Sequence, residues 1–471
     1  MKRLLLILSF AFCLSLLAYS QDVQRLAERD IMGTARYVGM GGAMTAIGGD
    51  PSAVLDNPAG LGLYRRSEVA LTIDETIDYT LHSTPSTLHP TPYTRSRFTL
   101  PHCSAVFSWG KPNKHQGMIF NNLMFSFNRL TNFNRDIVVK GQGLGMAETM
   151  CVLTNGLAEE YLQDKPWNDN EIGWLSILGY EAYMINPLDD NQWEPAVHLT
   201  EGALSVSESG EVDQFTLSWA SNISNQWYIG LGLNFPTLSY TKRTSHYETD
   251  RSNSAELKSL YHLSGFGVTG SIGVIYRPLQ ALRIGASFQT PTVMTLSLQT
   301  EGDIYTTIAG QKYELLTPSS SGNSRNILSP LRTSVSVATQ IGKQGMIALQ
   351  YDYAHSSEME DVHTLRLGAE AQAYRGLFVN AGYVYESSFM KEDPVWMLGY
   401  NEIRTDMDYR YTDASQYASA GIGYRSDVVV AQVAYQYRWQ TIHQYASEVQ
   451  AVPFEVDTKT HRIVATLAWR L

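Results

Sequence analysis

The sequence predicts an all-β membrane protein: a fourteen-stranded antiparallel transmembrane β-barrel, plugged by its N-terminal segment and carrying helical insertions in its extracellular loops. Three observations predict it. The chain opens on an export signal, apolar and polar residues then alternate with a period of two, and short and long connections between the alternating segments follow one another in step.

Met1-Lys2-Arg3 precedes an apolar run from Leu4 to Ala18, with small residues at Ala18 and Ser20. Positive charge, a short apolar core and small residues describe a secretory signal peptide over residues 1–20. The run falls short of the roughly 20 apolar residues that span a bilayer as a helix. Cys13 sits inside this run and is followed by Leu14, which argues against a lipoprotein cleavage site. No second long apolar run follows, and the mean hydropathy of -0.19 excludes a helical membrane protein. It does not exclude a barrel, whose strands average apolar and polar faces. The 28 Tyr, 36 Gly and 9 Trp beside only 17% charged residues lean toward that class. A formal charge of -11 disfavours nucleic acid as a partner. After the leader only Cys103 and Cys151 remain, too few for a disulfide framework, and their pairing is left open.

Alternation is plainest near the C-terminus. Val429, Ala431, Val433, Tyr435, Tyr437 and Trp439 share one face, with Gln432, Ala434, Gln436 and Arg438 opposite. Ile463, Ala465, Leu467 and Trp469 repeat it, as do Trp227, Ile229, Leu231 and Leu233. Such segments start near residues 67, 97, 117, 212, 226, 265, 282, 328, 345, 362, 376, 414, 427 and 459. Brief turns alternate with long connections at 80–96, 131–211, 244–264, 301–327, 387–413 and 443–458, with 356–361 the one brief member of the long set. A soluble sandwich also alternates apolar and polar residues, but it has no reason to keep this beat. The rhythm predicts both mature termini on the periplasmic side and the long loops outside, with 67–471 as the barrel.

Residues 21–66 lack the strand pattern and are rich in Gly and small residues. The glycines there do not fit a dinucleotide loop, since no strand–loop–helix unit accompanies them. Their mixture with Met, Val and Ile favours a packed plug over a disordered leader. Within this segment, 41-GGAMTAIGGDPSAVLDNPAGLG-62 resembles the N-terminal hatch of the FadL/TodX outer-membrane transporters, with Asn57-Pro58-Ala59 matching the family's hatch motif. A second match, 265-GFGVTGSIGVIYRPLQALRIGASFQTPT-292, resembles the family's central hairpin, and 366-RLGAEAQAYRGLFVNAGYVYE-386 is a weaker echo. The resemblance implies passive uptake of long-chain fatty acids, aromatic hydrocarbons or similar lipophiles. It implies a hydrophobic small-molecule ligand and outer-membrane lipid as partners of a monomer in a Gram-negative outer membrane. It also implies lateral release through the wall, which suits an apolar ligand stabilised by about 0.8 kcal/mol per buried methylene. Some barrels of this fold serve protein secretion or surface attachment, so a scaffold holding a secretion-system partner is the second reading.

The residues themselves suggest where such a device would work. In the third strand Met118 and Phe120 take one parity and Leu123, Phe125 and Phe127 the other. The switch at Asn121-Asn122 reads as a kink that opens the wall, or as an ordinary register-setting bulge. In the loop 131–211, 144–162 and 173–185 read as short helices. Leu175, Ile177, Leu178, Tyr180 and Tyr183 would line an apolar groove, unless the helices pack on each other and on the barrel rim. Arg97, Arg332 and Arg366 point inward by parity, as carboxylate partners for a ligand or as partners of Asp50 and Asp56. No HExxH, GxSxG or clustered Cys/His set is present, so neither an enzyme nor a cofactor is expected.

Overall fold

Alternation along the chain becomes a closed wall because the first and last strands pair. Glu68–Ser83 lies antiparallel to Phe454–Arg470, from Glu68 opposite Arg470 to Ser83 opposite Glu455. The computed structural model describes residues 28–83, 92–111, 116–169, 171–342, 344–357, 359–390 and 403–471. The expected signal peptide lies outside them. Fourteen antiparallel strands close the barrel. They are β1 (Glu68–Ser83), β2 (Pro92–Gly110), β3 (Met118–Asn132, continued by Arg135–Gln142), β4 (Glu201–Ile223), β5 (Trp227–Thr249), β6 (Ser254–Tyr276) and β7 (Leu282–Gln289, continued by Val293–Ile308). Then follow β8 (Ser320–Leu328, continued by Leu331–Ile341), β9 (Gly345–His355), β10 (Val362–Tyr374), β11 (Leu377–Glu386), β12 (Tyr409–Thr412, continued by Ser415–Arg425), β13 (Val429–Tyr445) and β14 (Phe454–Arg470).

Around the belt, the apolar face of a strand is the outer one. Val69, Leu71 and Ile73, then Ile229, Leu231 and Leu233, then Ile463, Leu467 and Trp469 are all exposed. Their neighbours Thr72, Tyr228 and Thr466 are buried. An exposed apolar belt around a polar interior suits lipid outside. A groove of about 480 Å³ lined by Trp219, Ile229, Leu231, Ile272 and Phe288 lies on this outer face.

Several connections expected as loops are tall strands instead. β4, β5 and β6 each run 23 residues. The expected loop 244–264 shrinks to a turn at residues 250–253. There the Ser252 and Asn253 backbone N–H groups hold the Asp250 carboxyl down at about 2. The upper parts escaped the apolar alternation because their outward residues, such as Ser205, Arg243 and Lys258, stand above the lipid and are polar. Pairing is still complete there, from Glu201 opposite Thr249 onward. By contrast β9, β10 and β11 have 10 to 13 residues, so the wall is tall on one side only.

Residues 143–200 form a folded cap on the tall side. α-Helices Met146–Thr154 and Trp174–Glu181 pack together with a two-stranded ribbon of Ile185–Pro187 and Trp193–Pro195. Glu248 of β5 accepts a 2.8 Å hydrogen bond from the Met146 N–H, placing a carboxylate at the N-terminus of the first helix. A negative group there is stabilised by the orphan N–H groups and the helix dipole.

Candidate functional site

The segment from Glu28 to Tyr64 lies inside the barrel, held by polar contacts that the wall supplies from its inner face. Asn57 donates through Nδ2 to the Thr45 carbonyl at 2.8 Å and to the Val274 carbonyl of β6 at 3.3 Å. Its Oδ1 accepts from the Ala59 N–H at 3.0 Å, which starts the 3-10 turn Pro58–Leu63. The wall makes room with glycine: a Cβ on Gly273 would stand 1.8 Å from Asn57 Oδ1, and one on Gly230 would stand 2.3 Å from the Pro58 carbonyl carbon. Asn57, Pro58 and Ala59 therefore form one anchor of the inner segment. Arg36 forms another, with Nε and Nη2 on the Glu370 carboxylate of β10 at 2.6 and 2.9 Å.

Asn121 and Asn122 do not break the strand. Pairing of β3 with β2 runs without a shift from His102–Asn128 to Gly110–Phe120, and Asn122 and Met124 stay buried while Phe125 faces out. The register shifts lie instead between Met118 and Phe120 and between Arg129 and Thr131. The parity change belongs to Phe120, which turns in beneath the Arg65 guanidinium, 5.4 Å from its ring centre. Asn122 is a further anchor, its Nδ2 donating to the Leu61 and Tyr64 carbonyls at 2.9 and 3.3 Å.

The wall does part, but higher. Leu100-Pro101 adds a residue to β2 against β1, between Thr72 and Asp74, and Pro101 has no N–H to offer. Among the described residues, β2 pairs with β3 only from His102 to Gly110, and Pro92–Leu100 lie against β1 alone. Side chains bridge the split. Arg95 reaches Asp136 at 2.7 Å, and Arg97 reaches Asn132, the Asn134 carbonyl and Asp78 of β1.

The expected groove is not open. Leu175, Ile177 and Leu178 are buried among Met146, Met150 and Trp174 and against Ala255, Leu257 and Ile304 of the rim. Two helices this apolar satisfy one another first. Tyr180 is half-buried, donating to Glu159 and edge-on to Trp193, and Tyr183 is exposed beside Tyr313. Cys151 is buried in the same cluster, its thiol pushed up to about 12 by burial, and neither it nor Cys103 is in a disulfide.

Below the cap a second apolar cluster lines the inner face of the tall wall. It comprises Leu130 and Phe133 by β3, Val212 of β4, Leu238 and Tyr240 of β5, Tyr261 and Leu263 of β6, Met294, Leu296 and Leu298 of β7, and Ile327 of β8. Ile403 packs on both this cluster and the cap cluster, and Leu55 of the inner segment packs on its lower end. An apolar seam thus runs from the cap to the inner segment, and Leu130 carries it to the split beside β3. Sequence reading missed this seam because its residues occupy the inward parity, expected to be polar. The alternating row Met294, Leu296 and Leu298, with polar Thr295 and Ser297 between them, was the available signal.

At the foot of the seam lies a cavity of about 60 Å³, lined by Leu55 and Leu130 and by Arg29, Arg332 and Arg366 among the acids Asp30, Asp56 and Asp352. Ligand sites are usually ~300–1,000 Å³, so this one is too small for a drug-sized ligand as it stands. Arg366 is tied to Asp352 at 2.7 Å, to Asp56 at 3.3 Å and to the Tyr37 hydroxyl at 3.0 Å. Arg29 donates to Gln289 at 3.2 Å. Arg97 is not part of this group and lines a separate polar cavity of about 50 Å³ at the split.

The sequence matches no family model and no curated protein. The fold does have solved counterparts. A Pseudomonas aeruginosa FadL homologue aligns over 94% of this chain and 99% of its own, at 10% identity and a TM-score of 0.56. The toluene transporter TodX of P. putida aligns over the same shares, with 10% identity and a TM-score of 0.54. The Ralstonia pickettii toluene transporter TbuX does so at 14% identity and 0.52. The chain therefore has the fold of the FadL/TodX channels along nearly its whole length.

Proposed function

We propose that this protein is a channel of the Gram-negative outer membrane for passive uptake of hydrophobic small molecules. The observation that carries the reading is the apolar seam on the inner face of the tall wall, which reaches Leu55 below and joins the cap cluster through Ile403. A lipophile moving along it trades one apolar contact for another, so no step exposes it to bulk water. The solved counterparts named for toluene transport lend support. In this reading residues 1–20 are removed as a signal peptide, residues 21–66 are the hatch, both mature termini are periplasmic, and the protein acts as a monomer.

The amphipathic cavity at the foot of the seam suits a ligand with an apolar tail and an acidic head. Leu55 and Leu130 would meet the tail, and Arg29, Arg332 and Arg366 the carboxylate, which Arg binds in bidentate fashion. Release would follow through the split between β2 and β3, next to Leu130, into the bilayer. Arg95 and Arg97 would hold that split shut by their contacts with Asp136, Asn132 and Asn134.

The test is uptake of a radiolabelled long-chain fatty acid and of a monoaromatic hydrocarbon by cells expressing the protein. Saturable uptake of either, abolished by Leu296→Asp in the seam at unchanged surface level, supports the channel. Equal uptake by cells with and without the protein rejects it.

A further inference from the structure

A second structure crosses the lumen far above the inner segment. Residues 403–408, just before β12, run into the barrel mouth, and all but Ile403 are buried. Arg404 lies over the Tyr261 ring of β6, 4.4 Å from its centre, and clasps Asp406 with Nε–Oδ1 and Nη2–Oδ2 at 3.0 and 2.6 Å. Thr405 Oγ1 donates to the Glu301 carbonyl of β7 at 3.2 Å. Lys242 of β5 puts its ammonium 2.9 Å from Asp406 and 2.7 Å from Asp408. On the far side Gln444 of β13 donates to Asp408 at 3.1 Å. β5 and β13 stand on nearly opposite sides of the ring, so the segment spans the lumen as a crossbar.

Its position along the apolar route is the telling feature. Met407 belongs to the cap cluster, and Ile403 packs on both that cluster and the seam below. Among the described residues, the two apolar clusters meet at Ile403 of the crossbar. Two cations and two carboxylates, all buried, hold it. Such a set adds little net stability over apolar residues of the same volume, and its best-attested use is to fix one conformation against another.

We propose that residues 403–408 are an outer lid that closes the apolar seam against the cap, with Lys242 as its latch. This rests on the uptake reading and adds a second gate to it. A ligand gathered at the cap enters the seam when Asp406 and Asp408 let go of Lys242 and Ile403 swings out.

The latch and the gate are tested separately, in a Cys103→Ala, Cys151→Ala background of the full-length protein in outer membranes. For the latch, Thr405→Cys reports lid opening through labelling by a membrane-impermeant maleimide. Lys242→Met raises the labelling rate at least about tenfold, because two buried carboxylates lose their shared partner, while Lys242→Arg keeps it low. Heat-modifiable migration on gels confirms that each variant is a folded barrel. Equal labelling with Lys and Met at position 242 overturns the latch.

For the gate, Gly302→Cys with Thr405→Cys cross-links the lid to β7, since a Cβ on Gly302 stands 2.8 Å from the Thr405 Cβ. A disulfide needs roughly 3.5–4.5 Å, so a shift of about an ångström admits it. The oxidised protein takes up lipophile at least about tenfold more slowly, and reductant restores the rate. Equal rates before and after reduction of a fully cross-linked sample overturn the gate. If the parent protein takes up nothing, the uptake reading falls, and the labelling experiment still decides whether Lys242 latches the segment.

Discussion

Replacing Gly273 by Ala should loosen the inner segment from the wall side. The added Cβ would stand 1.8 Å from Asn57 Oδ1, against an ordinary contact of 3.4 Å or more, so Asn57 must retreat by about 1.6 Å. That movement breaks the Asn57 hydrogen bonds to Thr45, Val274 and Ala59. Each is worth about 1 kcal/mol net, so the anchored state loses ~3 kcal/mol and the detached fraction rises roughly a hundredfold. Gly270→Ala is the control, on the same strand with nothing within 4 Å of its added Cβ. Both proteins are reconstituted in planar bilayers and their ionic conductance compared, with large-antibiotic sensitivity of expressing cells as the second readout. Gly273→Ala should show frequent openings and Gly270→Ala the parental trace. If the two substitutions behave alike, the glycine at 273 is not there to admit Asn57, and the anchoring argument fails.

Other outcomes follow from the same geometry. Leu298→Asp, in the middle of the seam, should cut lipophile uptake at least about tenfold while leaving the barrel heat-modifiable, because a carboxylate there must be desolvated or protonated. Arg332→Met together with Arg29→Met should reduce uptake of a long-chain acid and spare that of an aromatic hydrocarbon; equal loss of both would remove the carboxylate role. Burial alone would raise the Asp406 carboxyl, yet Arg404 and Lys242 hold it far below the usual carboxylate range. A depressed folded pKa contributes stability above the unfolded value of about 3.9 and loses it as pH falls below that value. Pepsin should therefore reach the segment around residues 403–408 in barrels held near pH 2 but not, with a neutral-pH protease, near pH 7.

What could be read from the sequence divides along physical lines. The lipid-facing rows, such as Ile229, Leu231 and Leu233, were visible because bilayer contact requires every second residue to be apolar over the belt. The upper halves of β4 to β7 were not, since above the lipid the outward residues are released from that requirement. Asn57-Pro58-Ala59 stood out through its resemblance to the hatch motif of the FadL/TodX channels, and its capping role came from the structure. At Asn121-Asn122 the change of parity suggests a kink or a register-setting bulge, whereas pairing with β2 is unshifted there and Asn122 is bonded to the Leu61 carbonyl. Leu175, Ile177 and Leu178 were recognised as apolar and helical, whereas their burial depends on what faces them.

The sequence by itself determined the barrel, its strand number, the face turned to lipid and the segment left over to fill it. All of these follow from periodicity and composition, which act along the chain. Only the tertiary structure decided where the wall parts, which inward residues form an apolar seam, and that residues 403–408 cross the lumen to meet Lys242. Those features are made between strands distant in sequence. Leu130, Leu263 and Leu298 become one surface only when the closed ring sets their registers side by side.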